Sequence, residues 1–164
     1  MAVSDIGLHV PSLAAALKQR GWMLATAESC TGGMIAAACT DLAGSSEWFE
    51  RGFVTYSNEA KTELLGVDAG LIARHGAVSE EVARAMAEGA LAHSRARISV
   101  AVTGIAGPGG GSAAKPVGTV WMGIAVREQG VRTSLLQLQG DRAGIRSQTV
   151  SQALRSLLDT LAAH

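Results

Sequence analysis

Five short segments that favour β-strands alternate along this chain with segments that favour helices, and this alternation restricts the possible folds more than any other feature. Several of the strand segments are apolar over their whole length, as expected of strands buried on both faces. The alternation predicts an α/β protein, a three-layer α/β/α sandwich with a mixed, mostly parallel five-stranded sheet and one antiparallel hairpin. At 164 residues, the chain is expected to form one domain, residues 1–164.

The boundaries of these segments follow from local patterns. Strands are predicted at residues 23–27, 52–56, 98–103, 117–126 and 131–138. Helices are predicted to begin at Pro11, near Thr31, at Ser57, at Asp68, at Ser79 and at Gly140-Asp141. Residues 1–10 show little pattern and are expected to be partly frayed.

The composition argues against several classes of protein. Lys and Arg together number 14, as do Asp and Glu, whereas a nucleic-acid-binding protein normally carries a basic face. The two cysteines, Cys30 and Cys39, form no CxxC motif and no secretory leader is present, which favours a reducing cytoplasm. No apolar run approaches the roughly 20 residues that span a bilayer. A cytoplasmic protein without nucleic-acid or membrane partners is therefore expected.

The core must be built largely without aromatic side chains, which make up 4% of the residues. Ala, Val, Leu and Ile are expected to fill it, and the 20 glycines indicate close packing of helices on the sheet. Trp48, Phe49 and Trp121 are among the few large apolar groups. They either pack inward or mark a partner surface, and a homodimer is the assembly that they would allow.

The first predicted strand ends in a polar cluster where a helix is expected to begin. Residues 25–34 read Ala-Thr-Ala-Glu-Ser-Cys-Thr-Gly-Gly-Met, with Ser29 at the junction. The first N–H groups of a helix have no partner within the helix and can bind an anion. A serine hydroxyl at this position suits either a nucleophile or an anion-binding site.

A glycine-rich loop follows the third predicted strand. It reads Gly104-Ile-Ala-Gly-Pro-Gly-Gly-Gly111 and matches neither the Walker motif nor the dinucleotide-binding GxGxxG motif. Ligands of open α/β sheets bind outside the strand ends, so this loop and Ser29 would line one crevice if the first and third strands are parallel. A flexible connection between two strands is the alternative interpretation.

Few side chains can serve as a base for Ser29. None of the four histidines lies in a motif typical of a Ser-His-Asp triad or a zinc site, which leaves the lysines Lys18, Lys61 and Lys115. Lys61 lies one helical turn after Ser57, where burial would lower its pKa and allow the neutral amine to accept a proton. From spacing alone, a solvated helix lysine is the simpler interpretation.

Five stretches of the chain stand in a specific order and spacing. They are Thr26-Ala-Glu-Ser-Cys-Thr-Gly-Gly33, Val54-Thr-Tyr-Ser-Asn-Glu-Ala-Lys61, Val78-Ser-Glu-Glu81, Val102-Thr-Gly-Ile-Ala-Gly-Pro108 and Lys115-Pro-Val-Gly-Thr-Val-Trp121. Together they resemble the CinA C-terminal domain family over about residues 8–160. Members of that family are often fused behind a larger domain, and this chain is expected to be a stand-alone form.

The resemblance implies an enzyme, a nicotinamide-nucleotide amidohydrolase that converts nicotinamide mononucleotide to nicotinate mononucleotide and ammonia. The family is described as using a Ser–Lys pair, and the matching residues are Ser29 as nucleophile and Lys61 as general base. No metal and no organic cofactor is implied. Tyr56 is expected either to orient Lys61 or shuttle its proton, or to be a core tyrosine with a satisfied hydroxyl.

Residues near Ser29 are the first candidates for contacts with such a substrate. Amides from Thr31 through Gly32 to Gly33 are expected to stabilise the oxyanion that forms on the carboxamide. Glu28 either faces the positive charge of the pyridinium ring or helps to hold the junction.

The nucleotide part of the substrate would need a second group of contacts. Thr103, Gly104 and Gly107, with the loop that continues to Gly111, are the candidates for binding it. Arg142 and Arg146 are candidates for pairing with the phosphate. By position alone, they fit exposed surface arginines equally well.

Two other functions stay open from the sequence. A nucleotide-binding module could regulate a partner without significant turnover, and an amidase could act on another small carboxamide. Ammonia release from nicotinamide mononucleotide distinguishes the first from an enzyme, and a panel of carboxamides distinguishes the second.

Overall fold

Strands and helices alternate along residues 2–164, which are the residues that the computed structural model describes, with side chains from residue 6 onward. Met1, part of the segment predicted to fray, lies outside them. The elements are α1 (Ala2–Arg20), β1 (Leu24–Glu28), α2 (Met34–Thr40), β2 (Phe49–Val54), α3 (Asn58–Leu65), α4 (Ala69–His75), α5 (Glu80–Ala92), β3 (Ile98–Gly104), β4 (Thr119–Val126), β5 (Gly130–Gln137) and α6 (Arg142–Ala162). A 3₁₀-helical turn, Ser45–Glu47, precedes β2. None of the described helices is both long and apolar enough to cross a membrane.

The five strands form one mixed sheet in the order β2-β1-β3-β4-β5. Strand β1 pairs in parallel with β2 and β3, whereas β4 is antiparallel to β3 and β5. Four strands therefore point one way and β4 points the other, so the predicted α/β fold with a mixed, mostly parallel sheet is confirmed. As a consequence, the carboxyl ends of β1, β2 and β3 meet at one edge of the sheet.

The two faces of the sheet carry side chains of different size. Large side chains such as Leu24, Val100 and Met122 belong to the core under α1, α2 and α6. Small side chains such as Ala25 and Ala101 belong to the second core, under α5. Side chains alternate between the two faces along a strand, so the large ones lie on the first face and the small ones on the second. The second face is therefore nearly flat, and α5 packs close to it. The expectation of close packing from the composition agrees with this arrangement.

Three predicted elements have a boundary that is wrong by three residues or more. Helix α1 begins at Ala2 with Pro11 inside it, because Val10, Leu13 and Leu17 are buried and the helix packs along α6. Strand β2 covers residues 49–54 rather than 52–56, because its pairing with β1 starts at Phe49 and ends at Val54. The error in both cases comes from contacts between distant segments that a local pattern does not contain.

The third wrong boundary is the start of α2, which lies at Met34 rather than near Thr31. Gly32 and Gly33 both have positive φ angles, 59° and 106°, so the chain makes a left-handed turn before the helix begins. The other helix starts follow the sequence prediction. Ser57, Asp68, Ser79 and Asp141 are N-cap residues whose side chains accept backbone N–H groups of the first turn.

Candidate active site

A crevice of about 270 Å³ lies at the edge of the sheet where β1, β2 and β3 end. Ser29 and Thr103 both line it, because β1 and β3 are parallel neighbours with Glu28 paired to Val102. A groove of about 400 Å³ between α3 and α4 is larger, but none of the predicted catalytic residues lines it. The crevice is the candidate site, since it combines a nucleophile, a possible base and backbone groups that can bind a ligand.

Lys61 reaches Ser29. Its Nζ lies 3.1 Å from Ser29 Oγ, and both side chains are buried, with 1% of Lys61 and 8% of Ser29 exposed. Nζ also donates hydrogen bonds to the backbone carbonyl oxygens of Thr55, at 3.0 Å, and Tyr56, at 3.3 Å. The amine therefore has three hydrogen-bond partners, which are two backbone carbonyls and the Ser29 hydroxyl.

The position of Lys61 follows from strand pairing. The Thr55 amide donates to the Glu28 carbonyl at 2.9 Å, which keeps the chain after β2 beside the end of β1. Ser57 then caps α3 through the Ala60 amide, so that Lys61 falls on the first turn of the helix, next to the strand ends. The simpler interpretation from spacing, a solvated lysine, is wrong because this turn packs against the end of the sheet.

Burial lowers the pKa of Lys61 from its ordinary value, because the charged ammonium loses its hydration. Lys61 forms no salt bridge with any carboxylate of the described side chains, so no such partner opposes the shift. A buried amine with a lowered pKa is neutral in a larger fraction of molecules at neutral pH. This is the protonation state that a general base requires.

Glu28 points away from the crevice. Its carboxylate accepts hydrogen bonds from the Thr31 hydroxyl, at 2.6 Å, and from the amides of Ile35 and Ala36, at 2.9 and 3.0 Å. It is 1% exposed and satisfies the first free amides of α2. Of the two roles considered for Glu28, this geometry fits the one that holds the junction and does not fit contact with the pyridinium ring.

Thr31, Gly32 and Gly33, predicted to contact the substrate, do not line the crevice. The side chain of Thr31 is fully buried and donates to Glu28, and the Gly32 amide donates to the Ser29 carbonyl at 3.1 Å. These residues form the turn behind the nucleophile. The amides of Ile35 and Ala36, which would otherwise form an anion site at the helix start, are occupied by Glu28.

The predicted nucleotide-binding residues of β3 and the glycine-rich loop do line the crevice, namely Thr103, Gly104 and Gly107. The Thr103 hydroxyl donates to the Ala77 carbonyl at 2.9 Å, which leaves its oxygen free to accept a hydrogen bond. A side chain at Gly104 would meet Val120 Cγ2 at 2.5 Å, so this position has no room for a Cβ atom. At its glycines, the loop thus presents only backbone to the crevice.

Arg142 joins the opposite walls of the crevice. Its Nη1 donates to the Gly107 carbonyl at 2.7 Å and its Nη2 donates to the Tyr56 hydroxyl at 3.0 Å. Tyr56 is 60% exposed, so the alternative of a core tyrosine is wrong. Its hydroxyl contacts Arg142, and its contact with Lys61 is made by the backbone carbonyl.

Arg146, the other candidate for the phosphate, does not line the crevice. Its guanidinium donates to the backbone carbonyls of Cys30 and Thr31 instead. It therefore contacts the turn after Ser29 and not the predicted nucleotide site.

The prediction omitted four residues that line the crevice: Cys30, Asn58, Ala77 and Val78. Asn58 and Val78 belong to the stretches that carry the family resemblance, which is the signal that could have identified them. Cys30 is adjacent to Ser29, and burial raises the pKa of its thiol to about 11. The thiol is therefore protonated at neutral pH and is a poor nucleophile.

Comparisons with known proteins show relatives of this chain and a solved structure with the same fold. A protein from Enterobacter agglomerans named nicotinamide-nucleotide amidohydrolase PncC is 55% identical over 158 residues, covering 95% of this chain and 96% of its own. The protein of the same name from Escherichia coli strain K12 is 55% identical over 143 residues, covering 87% and 86%. The crystal structure of the competence/damage inducible protein CihA from Agrobacterium tumefaciens superposes with a TM-score of 0.92 at 47% identity, covering 94% of each chain.

The family comparison covers nearly the whole chain. Residues 9–161 match the family model described as the CinA C-terminal domain, a range that includes all five strands, α2 to α5 and most of α1 and α6. The resemblance inferred from the five stretches is confirmed, and the chain belongs to the CinA C-terminal domain family.

Proposed function

We propose that this chain hydrolyses the carboxamide of nicotinamide mononucleotide to nicotinate mononucleotide and ammonia, with Ser29 as nucleophile and Lys61 as general base. The observation that carries the proposal is the 3.1 Å approach of the buried Lys61 amine to the Ser29 hydroxyl in the crevice. The names of the two relatives that are 55% identical supply the substrate class. The crevice holds the two groups that hydrolysis of a carboxamide by this mechanism needs, the Ser29 hydroxyl and the Lys61 amine.

The hydrogen bonds of Lys61 orient its lone pair. A neutral amine has two N–H groups and one lone pair, and the carbonyls of Thr55 and Tyr56 accept from the two N–H groups. The lone pair of the neutral amine then faces the remaining neighbour, Ser29 Oγ, at 3.1 Å. In this state the Ser29 hydroxyl is the donor, whereas the charged ammonium would donate to Oγ. In this arrangement Lys61 takes the Ser29 proton as Oγ attacks the carboxamide carbon.

Attack on the carboxamide places negative charge on its oxygen, which needs hydrogen-bond donors at that moment. The amide of the residue that follows a nucleophilic serine is a common donor for this oxygen. Here that residue is Cys30, which lines the crevice, and no backbone carbonyl of the described residues is seen to accept from its amide. We assign the Cys30 amide to this role in place of the amides of Thr31 to Gly33.

The remaining steps return the enzyme to its starting state. The tetrahedral intermediate breaks its C–N bond, and the leaving nitrogen takes the proton from Lys61 and departs as ammonia. A water molecule then gives a proton to Lys61 and attacks the ester on Ser29. Cleavage of the Oγ–carbon bond releases the product as its carboxylic acid, which loses its proton to water to give the carboxylate, and Oγ recovers its proton from Lys61.

The far end of the crevice suits the phosphate of the nucleotide. Arg142 lies there with Gly107 and Tyr56 as its present partners, and the guanidinium matches the oxygens of a phosphate. Tyr56 is the side chain that Arg142 would release or share when the phosphate binds. The Thr103 hydroxyl oxygen, free to accept, lines the same crevice.

Ammonia release from nicotinamide mononucleotide tests the proposal. The wild-type protein is expected to release ammonia, and Ser29→Ala is expected to lower kcat by at least about 10³-fold because no nucleophile remains. Ser134→Ala, a change at an exposed position of β5, is the matched control and is expected to retain full activity. Full activity in Ser29→Ala would show that the nucleophile is assigned wrongly.

The same assay separates the two alternatives. If the wild-type protein binds the nucleotide but releases no ammonia, it is a binding module. If it releases ammonia faster from another small carboxamide, that compound is the substrate. A wild-type kcat/KM that is highest for nicotinamide mononucleotide supports the proposal.

A further inference from the structure

Arg146 contacts the chain immediately after Ser29. It lies on the second turn of α6 and is half-buried. Its Nε donates to the Cys30 carbonyl at 3.1 Å, and its Nη2 donates to the Thr31 carbonyl at 3.2 Å. One guanidinium group thus spans two successive peptide groups of the turn.

Together with a hydrogen bond inside the turn, Arg146 holds three consecutive carbonyls. The Ser29 carbonyl accepts from the Gly32 amide at 3.1 Å, and the next two carbonyls accept from Arg146. Each peptide group is a rigid plane, so a hydrogen bond to its carbonyl also sets the direction of its N–H group. The three peptide groups that follow Ser29 are therefore fixed. Arg146 sets the N–H directions of Thr31 and Gly32, and the Gly32 amide, by binding the Ser29 carbonyl, sets the N–H direction of Cys30.

Glu28, at the end of β1, binds the same turn on its buried side. Its carboxylate binds the Thr31 hydroxyl and the amides of Ile35 and Ala36, so the start of α2 is attached to the end of β1. Arg146 attaches the turn to α6 instead. The turn would otherwise be free to shift on that side, since Gly32 and Gly33 both have positive φ angles and glycine restricts the backbone least.

The contact depends on the shape of the guanidinium group. Nε and Nη2 are two donors at fixed separation on one planar group, and they match two carbonyl oxygens at once. A lysine ammonium could bind either carbonyl but has no such fixed pair of donors. The space beside the turn is also limited, because a Cβ atom at Gly32 would lie 3.4 Å from Arg146 Nη2.

We propose that Arg146 is a positioning residue, which orients the turn after Ser29 so that Oγ faces Lys61 and the Cys30 amide faces the reacting oxygen. This inference rests on the proposed function. It assigns Arg146 a role other than phosphate binding, since Arg146 does not line the crevice whereas Arg142 does. Its side chain acts through Ser29 and Cys30 and does not touch the substrate.

The test compares kcat with KM for Arg146→Ala and Arg146→Lys. A displaced nucleophile weakens the chemical step, so kcat is expected to fall by about 10- to 100-fold while KM changes by less than about threefold. Arg146→Lys is expected to resemble Arg146→Ala. A raised KM with unchanged kcat would mean that Arg146 binds the phosphate, and wild-type kinetics in Arg146→Lys would mean that any cation suffices; either result would overturn the inference.

Arg155→Ala is the matched control on the same helix. Arg155 is exposed and lies more than two helical turns further along α6, so kcat and KM are expected to stay at the wild-type values. An equal loss of kcat in Arg155→Ala would show that α6 responds to any arginine removal, which contradicts a specific contact.

Added guanidinium ion separates positioning from a general loss of structure. Millimolar guanidinium is expected to restore part of kcat in Arg146→Ala, to have no such effect on the wild type, and to leave the Tm of the variant unchanged. If kcat falls only in proportion to the unfolded fraction, or returns only when Tm rises, Arg146 is merely structural. Activity of Ser29→Ala identifies failure of the proposed function itself, independently of any Arg146 variant.

Discussion

At the scale of single residues, the proposed chemistry depends on the protonation state of Lys61. Burial lowers its pKa, and its hydrogen-bond partners are two uncharged carbonyls and one hydroxyl. A carboxylate beside the amine would have favoured the ammonium form and prevented it from acting as a base. The nearby Glu28 carboxylate is instead occupied by Thr31 and the start of α2.

The pH dependence of kcat/KM is expected to report the pKa of Lys61. Only the neutral amine accepts the Ser29 proton, so kcat/KM rises with pH and levels off above that pKa, which lies below the ordinary value of 10.5. The measurement is ammonia release above about pH 7, where the substrate phosphate with its pKa of about 6 no longer titrates. A rate that still rises steeply at the ordinary lysine value would contradict a lowered pKa.

Ser29→Ala provides the blank for this profile. Any ammonia that it releases at high pH comes from uncatalysed hydrolysis and is subtracted from the wild-type rate. A corrected wild-type kcat/KM that falls as pH rises would show that the neutral Lys61 amine does not act as the base.

At the scale of secondary-structure elements, the close contact between α5 and the sheet distinguishes this molecule. Ala25, Ala101 and Ala125 present small side chains to the core under α5, and Gly123 of β4 presents none. The Ser99 hydroxyl donates to the Ala87 carbonyl at 2.7 Å, which adds a direct bond between β3 and α5. The close approach lets the helix pack without large side chains between the two layers.

Gly123→Ala is expected to lower the free energy of unfolding by about 1–3 kcal/mol, because the added methyl group would push the backbone of α5 away from β4. An added Cβ atom would lie 2.8 Å from the Ala83 carbonyl oxygen and 3.2 Å from its carbon. Urea unfolding followed by far-UV circular dichroism measures the change. Below the unfolding transition, kcat is expected to remain at the wild-type value, since Gly123 does not line the crevice.

Gly7→Ala is the matched control for this substitution. Gly7 lies in α1 with no atom within 4 Å of the added Cβ, and replacing glycine by alanine in a helix is neutral or stabilises it by up to about 1 kcal/mol. If Gly123→Ala is as stable as this control, α5 does not pack on β4 as closely as the structure has it.

At the scale of the whole molecule, the first and last helices, α1 and α6, together cover one face of the sheet. Helix α1 packs along α6, and Arg20 Nη2 donates to the Leu161 carbonyl at 2.6 Å. The start of α6 then carries Arg142 at the crevice and Arg146 at the turn after Ser29. The crevice therefore belongs to the same packed unit as the chain ends.

Unfolding in urea is expected to be one cooperative transition, because both helical layers pack on the same sheet and the site lies at the edge of that sheet. The midpoints from far-UV circular dichroism, from tryptophan fluorescence and from ammonia release should coincide. Trp48 is a suitable probe because it is 1% exposed. Activity lost at clearly lower urea than circular dichroism, after correction for direct inhibition of the folded enzyme, would show that the crevice opens separately.

Much of the fold follows from local patterns in the sequence. Hydroxyl and carboxylate side chains mark the starts of α3, α4, α5 and α6, because an N-cap needs only its own first turn to act. The apolar run of β3 and the hairpin between β4 and β5 are local patterns of the same kind. Element type could therefore be predicted, whereas the starts of α1 and β2 depend on packing against α6 and β1.

In the candidate site too, features set by adjacent residues could be predicted, and features set by contacts between distant segments could not. The strand–serine–helix junction at Ser29 could be found in the sequence because its pieces are adjacent. The roles of Glu28 and Arg146 could not, because a carboxylate or guanidinium finds its partners only after the chain folds. Glu28 binds the start of α2, and Arg146 crosses from α6 to the turn after Ser29.

By itself, the sequence determined the order and type of the elements and the family, and it supplied Ser29 as the candidate nucleophile, since each rests on patterns within short stretches of the chain. Only the tertiary structure decided that Lys61 reaches Ser29, 32 positions away. The reason is the parallel pairing of β1 with β2, which brings the ends of both strands to one edge of the sheet and buries the amine there. Burial then lowers the pKa of Lys61, and no local pattern contains that property.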